Sequence, residues 1–235
     1  MIRRATVLLG GAMLLAAAPP VTDAPKDLDS QVVLQRYALA LAAVAQPDVV
    51  VFNYAISQAG PNDIDERHTL YRRGLDVRDE TLASDGVTLT RKVVRFERRE
   101  DPYAIARVAP RTADYELLFL GTVKDGRHRD YVYQATPLIH ASAAYVDRLT
   151  VDGITFLPRA LHFHTAAGDA TGTGEVDYAR ASKYWVPTLA TAQANVGGKP
   201  ARERITWSDY RFPVSLPASA FVPPKPLPHM TLPPI

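Results

Sequence analysis

The chain contains no cysteine. Disulfides, thiolate metal centres and cysteine nucleophiles are therefore excluded, as is anchoring through a lipidated cysteine, and the fold must hold by its core alone. Charge of one sign is also lacking: 27 Lys plus Arg stand against 25 Asp plus Glu, and two of the arginines, Arg3 and Arg4, sit at the extreme N-terminus. A near-neutral chain carries no electrostatic footprint for nucleic acid. Catalytic signatures are missing as well. Ser142 and Ser208 have no Gly-x-Ser-x-Gly setting. Gly172-Thr173-Gly174 lacks the lysine and the following helix of a phosphate loop and reads as a bend between strands. The acidic pairs Asp63 with Asp65 and Asp76 with Asp79 fall in polar, turn-rich segments and read as solvated. Nothing calls for a cofactor. Helical periodicity is absent from about Val49 to Phe212.

What is present begins with an export signal. Arg3-Arg4 precedes an apolar stretch from Ala5 to Ala18, the length of a signal h-region and too short for a membrane span. Cleavage after Ala18 or Ala24 is opposed by Pro19 and Pro25, so an uncleaved anchor is the alternative to a signal peptide over residues 1–24. The remaining length suits one domain, residues 26–212. Asp29 or Ser30 can cap a helix that runs to Ala45, where Gln46-Pro47-Asp48 stops it. Val33, Tyr37, Leu41 and Val44 form its one apolar stripe, so the helix packs on a sheet.

The rest reads as strands. Val50, Phe52, Tyr54 and Ile56 alternate with Val51, Asn53, Ala55 and Ser57. Asp85-Gly86, Asp125-Gly126 and Asp152-Gly153 mark hairpins. A glycine-rich bend is expected from Gly168 to Gly174, and an irregular segment from Asp101 to Thr112. Eight of the 23 residues from Pro213 onward are proline, which predicts an extended tail over 213–235 outside the core. The count is about ten antiparallel strands in up-and-down order. The expected fold is mainly β: a single curved sheet, an unclosed barrel, covered by the N-terminal helix.

Four stretches then give a family likeness. They are the helix-then-meander order, His68-Thr69-Leu70-Tyr71-Arg72-Arg73 ahead of Ser84-Asp85-Gly86, the run Tyr115 to Pro137, and Tyr184-Trp185-Val186-Pro187-Thr188 followed by Glu203 to Phe212. In these the chain resembles the periplasmic lipoprotein-carrier superfamily, over nearly all of its mature length. The resemblance implies a half-barrel with a helical lid over a cavity for acyl chains. It also implies an arginine that locks the lid, a place held here by Arg72 or Arg73, although Gly74 stands where the carriers have proline.

Candidate cavity residues are Phe52, Tyr54, Phe119, Tyr131, Tyr133, Phe156, Phe163, Trp185 and Trp207; candidate lid contacts are Val33, Tyr37, Leu41, Val44, Arg72 and Arg73. His162 and His164, two apart on a strand, share a face and have metal-ligand spacing. Spacing reveals no third ligand, so a solvent-facing pair without metal is expected. The functional expectation is a monomeric, non-enzymatic, exported or periplasmic binder of lipid or acylated protein, with an envelope delivery partner. The alternatives are a periplasmic sensor that recognises a partner through the same half-barrel, and a metal-dependent hydrolase built on His162 and His164.

Overall fold

A computed structural model describes residues 28–44, 47–60, 63–99, 103, 109–125, 128–139, 144–165, 168 and 170–223. The proposed export segment, Ala45, Gly126 of the Asp125-Gly126 turn, most of the irregular stretch after Asp101 and the end of the tail lie outside the described residues.

Helix α1 spans Ser30–Val44. Asp29 is its cap: its Oδ1 accepts from the Gln31 amide at 2.8 Å, and its carbonyl accepts from Val33 at 3.0 Å. Val33, Tyr37 and Val44 are buried, so the stripe read from the sequence is the face that packs down. Eleven strands follow: β1 Val49–Ala59, β2 Ile64–Arg73, β3 Asp76–Ser84, β4 Val87–Arg98, β5 Tyr115–Asp125, β6 His128–Pro137, β7 Ala144–Val151, β8 Pro158–Thr165, β9 Ala170–Ala181, β10 Tyr184–Val196 and β11 Lys199–Arg211. All pairings are antiparallel, in one sheet that does not close.

The order along the sheet is β4-β3-β2-β1-β11-β10-β9-β8-β7-β6-β5. Every neighbour is consecutive in the chain except β1 and β11, which join the first and last strands. The meander is therefore broken between β4 and β5, and these two are the free edges. Three described residues of the connector between them lie inside the fold. Tyr103, Ala109 and Pro110 are buried, and Tyr103 lies against Phe52 with ring centroids 5.2 Å apart. Tyr37 Oη of the helix donates to Pro110 O at 2.7 Å, which ties the helix to this described part of the connector.

Two expectations are corrected in detail. The stretch around Gly172 and Gly174 is inside β9 rather than a bend. A Cβ at Gly172 would stand 2.6 Å from the Phe163 ring and 2.5 Å from Gln193 O, so glycine here serves close packing of β8 on β9. The return strand after Asp152 starts at Pro158, not at Ile154. Asp152 Oδ1 accepts from the Ile154 and Thr155 amides at 2.9 and 2.6 Å, and this turn uses the intervening residues. The tail beyond Phe212 contributes a short helix, Ala218–Phe221, that touches β3. Arg78 donates to Ala220 O at 3.3 Å, and the Arg73 guanidinium lies 5.1 Å from the Phe221 ring.

Candidate ligand cavity

The face of the sheet that carries the helix also carries the core. Phe52, Leu70, Tyr131, Tyr133, Leu149, Leu161, Val176 and Trp207 belong to one apolar cluster with Val33, Tyr37 and Val44 of the helix. The cluster does not fill the whole concave face. Over β7 to β11 it leaves a cavity of about 410 Å³, walled by Val146, Leu161, Phe163, Val176, Ala190, Ile205 and Trp207, with Tyr115 and Tyr145 at its margin. That is within the size range of small-molecule sites, about 300–1,000 Å³. Alternation places the lining: Leu161 and Phe163 on β8 and Ile205 and Trp207 on β11 are two residues apart and point to one face.

Two acidic residues border this apolar space, Glu175 and Glu203. Glu203 lines it two residues before Ile205. Burial raises its carboxyl above the ordinary 4.5, and no ion pair or hydrogen bond to it is found among the described residues. The folded chain therefore holds the proton more tightly than the unfolded chain. Stability conferred by the neutral form is full below 4.5 and is lost as pH rises from 4.5 through the raised folded value. Glu203→Gln is expected to melt with the wild type in acid and above it at neutral pH. Melting curves across that range test this; a variant that melts below the wild type at neutral pH would show that the carboxylate has a stabilising partner.

The aromatics proposed from sequence are divided by the fold. Phe163 and Trp207 line the cavity. Phe52, Tyr131 and Tyr133 are in the packed core. The hydroxyl of Tyr131 accepts from the Leu28 amide at 3.2 Å, and that of Tyr133 donates to Ser30 O at 3.0 Å, so both fix the start of the helix. Tyr54 packs beside the core, but its hydroxyl donates to Asp79 and its ring stacks on His68, 4.4 Å away. It belongs to a polar network in which His68 also reaches Glu66 at 3.0 Å. Phe156 sits in the turn after β7 under the Arg36 guanidinium, 5.0 Å from its ring. Phe119 is 40% exposed on the edge strand β5. Trp185 is 39% exposed, because Val186 beside it takes the inward position and alternation turns the indole to the outer face. Trp185 is not an interior residue; Phe119 pairs with Tyr133 on the core face, ring centroids 5.6 Å apart, and is exposed because β5 is an edge.

Of the lid contacts, Val33, Tyr37 and Val44 are buried against the sheet and Leu41 is partly so. Arg72 is buried rather than solvent-facing, donating to Gly74 O at 2.8 Å and to Pro47 O at 3.1 Å. It clamps the chain as it leaves the helix. Arg73 points elsewhere, to Asp76 at 3.2 Å and to Phe221. His162 and His164 alternate with Leu161 and Phe163 and so lie on the outer face of β8. There they meet Asp147, a residue the sequence reading did not single out. Partial burial raises the Asp147 carboxyl, but hydrogen bonds with both histidines outweigh this and hold it below its ordinary value.

No family model and no curated protein matches the chain. Solved structures do. A LolA superfamily protein from Nitrosomonas europaea superposes with a TM-score of 0.53 at 15% identity, covering 84% of this chain and 99% of that one. An outer membrane lipoprotein-sorting protein domain from Vibrio parahaemolyticus gives 0.54 at 13% identity, covering 82% and 97%. The chain has the LolA-like fold. A DUF1329 family protein from Desulfovibrio piger gives 0.57 at 13% identity, covering 82% and 96%. These neighbours agree with the family likeness read in the sequence, and at such identities the likeness is one of fold. In this LolA-like half-barrel the open side lies between β4 and β5, the helix packs on the face that carries the core, and the cavity lies over β7 to β11. Among the described residues no helix is long and apolar enough to cross a membrane.

Proposed function

We propose that this chain is an extracytoplasmic carrier that binds an acyl chain, of a lipid or of an acylated protein, in the cavity under its half-barrel. The observation that carries the reading is the cavity itself: an apolar space of about 410 Å³ contiguous with the core, on the concave face of a LolA-like sheet. Each methylene moved from water into it contributes about 0.8 kcal/mol, so a single chain gives reversible binding without any chemical step. The export signal read at residues 1–24 fits an envelope location. Two of the fold's neighbours are described as LolA superfamily and lipoprotein-sorting proteins, which supports the same ligand class. No catalytic step is assigned to this site.

The decisive test is native mass spectrometry of the exported protein before and after organic extraction, followed by titration with a fluorescent fatty acid. A co-purifying lipid mass that extraction removes, and saturable uptake of the probe afterwards, are the expected results. An apo mass with no probe binding would overturn the carrier reading. It would favour partner recognition along β5, whose Leu118, Leu120 and Val123 are exposed on a free sheet edge.

A further inference from the structure

A second site stands on the opposite surface of the sheet. His162 and His164 project from the outer face of β8, and β7 runs beside it with Tyr145 paired to His164 and Arg148 paired to His162. Between these pairs the register shifts, and Asp147 is the extra residue. Such a bulge re-aims a side chain. Here it brings Asp147 onto the face of the two imidazoles. One carboxylate oxygen lies 2.5 Å from His162 Nδ1 and the other 2.8 Å from His164 Nε2. Nearest ligand atoms of all three residues fall within 4.8 Å of one another.

The rings are held in place. Tyr145 stacks on His164 with centroids 5.5 Å apart, and the two imidazoles meet edge to face at 4.8 Å. The three side chains are each about one-third exposed, so an ion has access from solvent. On the far side, Thr173 and Thr171 of β9 pair with His162 and His164 and are exposed, which leaves the remaining coordination positions to water.

We propose that Asp147, His162 and His164 bind a divalent transition-metal ion of the zinc class on the outer face of the half-barrel. Two imidazoles and one carboxylate are the donor set such ions take, and hard cations such as magnesium do not favour imidazole. The ring nitrogen now facing Asp147 becomes a ligand once its proton moves to the other nitrogen. The site joins β7 to β8 where the bulge interrupts their pairing. Val146, Leu161 and Phe163, the neighbours of the three ligands in the chain, point the other way and wall the cavity. An ion here therefore stiffens one wall of that cavity from behind.

The test uses tag-free, chelator-stripped protein titrated calorimetrically with zinc chloride, and separately with magnesium chloride. One equivalent of zinc is expected to bind and to raise the melting temperature, with no response to magnesium. H164A and D147N are each expected to weaken zinc binding by on the order of tenfold or more. Circular dichroism of the variants establishes that they fold; should H164A not fold, D147N, which keeps the side-chain size, decides. Absence of zinc binding in the wild type, or undiminished binding in the folded variants, overturns the assignment. Neither result depends on whether the cavity takes a lipid.

Discussion

Ala190→Trp is expected to abolish uptake of a fluorescent fatty acid while lowering the melting temperature only slightly. Ala190 is a small side chain on the cavity wall, between Val176 on β9 and Ile205 on β11, its partners across the sheet. An indole there enters space of about 410 Å³ that the protein does not fill. The same enlargement at Ala135, which is 3% exposed within the packed cluster, is expected to cost about 1–3 kcal/mol or more, because no space exists to receive it. Paired melting and binding curves for the two variants separate the readings. If Ala190→Trp melts as low as Ala135→Trp, the interior over β7 to β11 is an ordinary core. If it melts like the wild type and still binds the probe, the ligand sits elsewhere. The surface of the helix is not the place for this experiment: Ala38, which helical spacing alone puts near the stripe, is exposed.

Tyr37→Ala is expected to be the most damaging single change to the helix. Tyr37 is fully buried at the centre of the stripe, and its hydroxyl bonds to the Pro110 carbonyl of the connector. Removing a buried aromatic ring costs about 3–5 kcal/mol through lost transfer energy and the cavity left behind. Tyr37→Phe keeps the ring and forfeits only the hydrogen bond, about 0.5–1.5 kcal/mol, plus some penalty for the buried carbonyl left without its donor. Urea unfolding of the two variants measures the difference. A loss at Tyr37→Ala no larger than at Tyr37→Phe would mean that the helix is loosely docked and the ring contributes little.

Much of this architecture was legible in the chain because it depends on local pattern. The two-residue alternation from Val50 to Ser57 and the Asp-Gly turns define strands and hairpins. The four- and seven-residue spacings of Val33, Tyr37 and Val44 define which side of the helix is buried. A sheet of roughly the right strand number, open and covered by that helix, follows from these features because each hairpin reports only on its immediate neighbour.

The sites were less legible, and the reason is the same locality. The sequence placed Phe163 and Trp207 among the candidate cavity residues, but it did not show that the core face is left partly unfilled over β7 to β11. Trp185 and Phe119 carry the same aromatic character and are exposed, since the inward phase of β10 is set by Val186 and β5 is an edge. Glu203 sits between Arg202 and Arg204 in the chain; only the fold shows that it faces apolar space while alternation turns its neighbours outward.

What the sequence determined by itself was therefore the covalent and the local: no disulfide or thiolate chemistry, a chain close to neutral, one amphipathic helix and a long antiparallel meander. The tertiary structure alone decided the pairing of β1 with β11, which moves the opening to β4 and β5, and the bulge that brings Asp147 to His162 and His164. Both depend on register between segments distant in the chain. Register is set by which side chains pack across strands, and a shift of one residue sends a side chain to the opposite face. That is the physical step no spacing rule contains, and the cavity and the candidate metal site both depend on it.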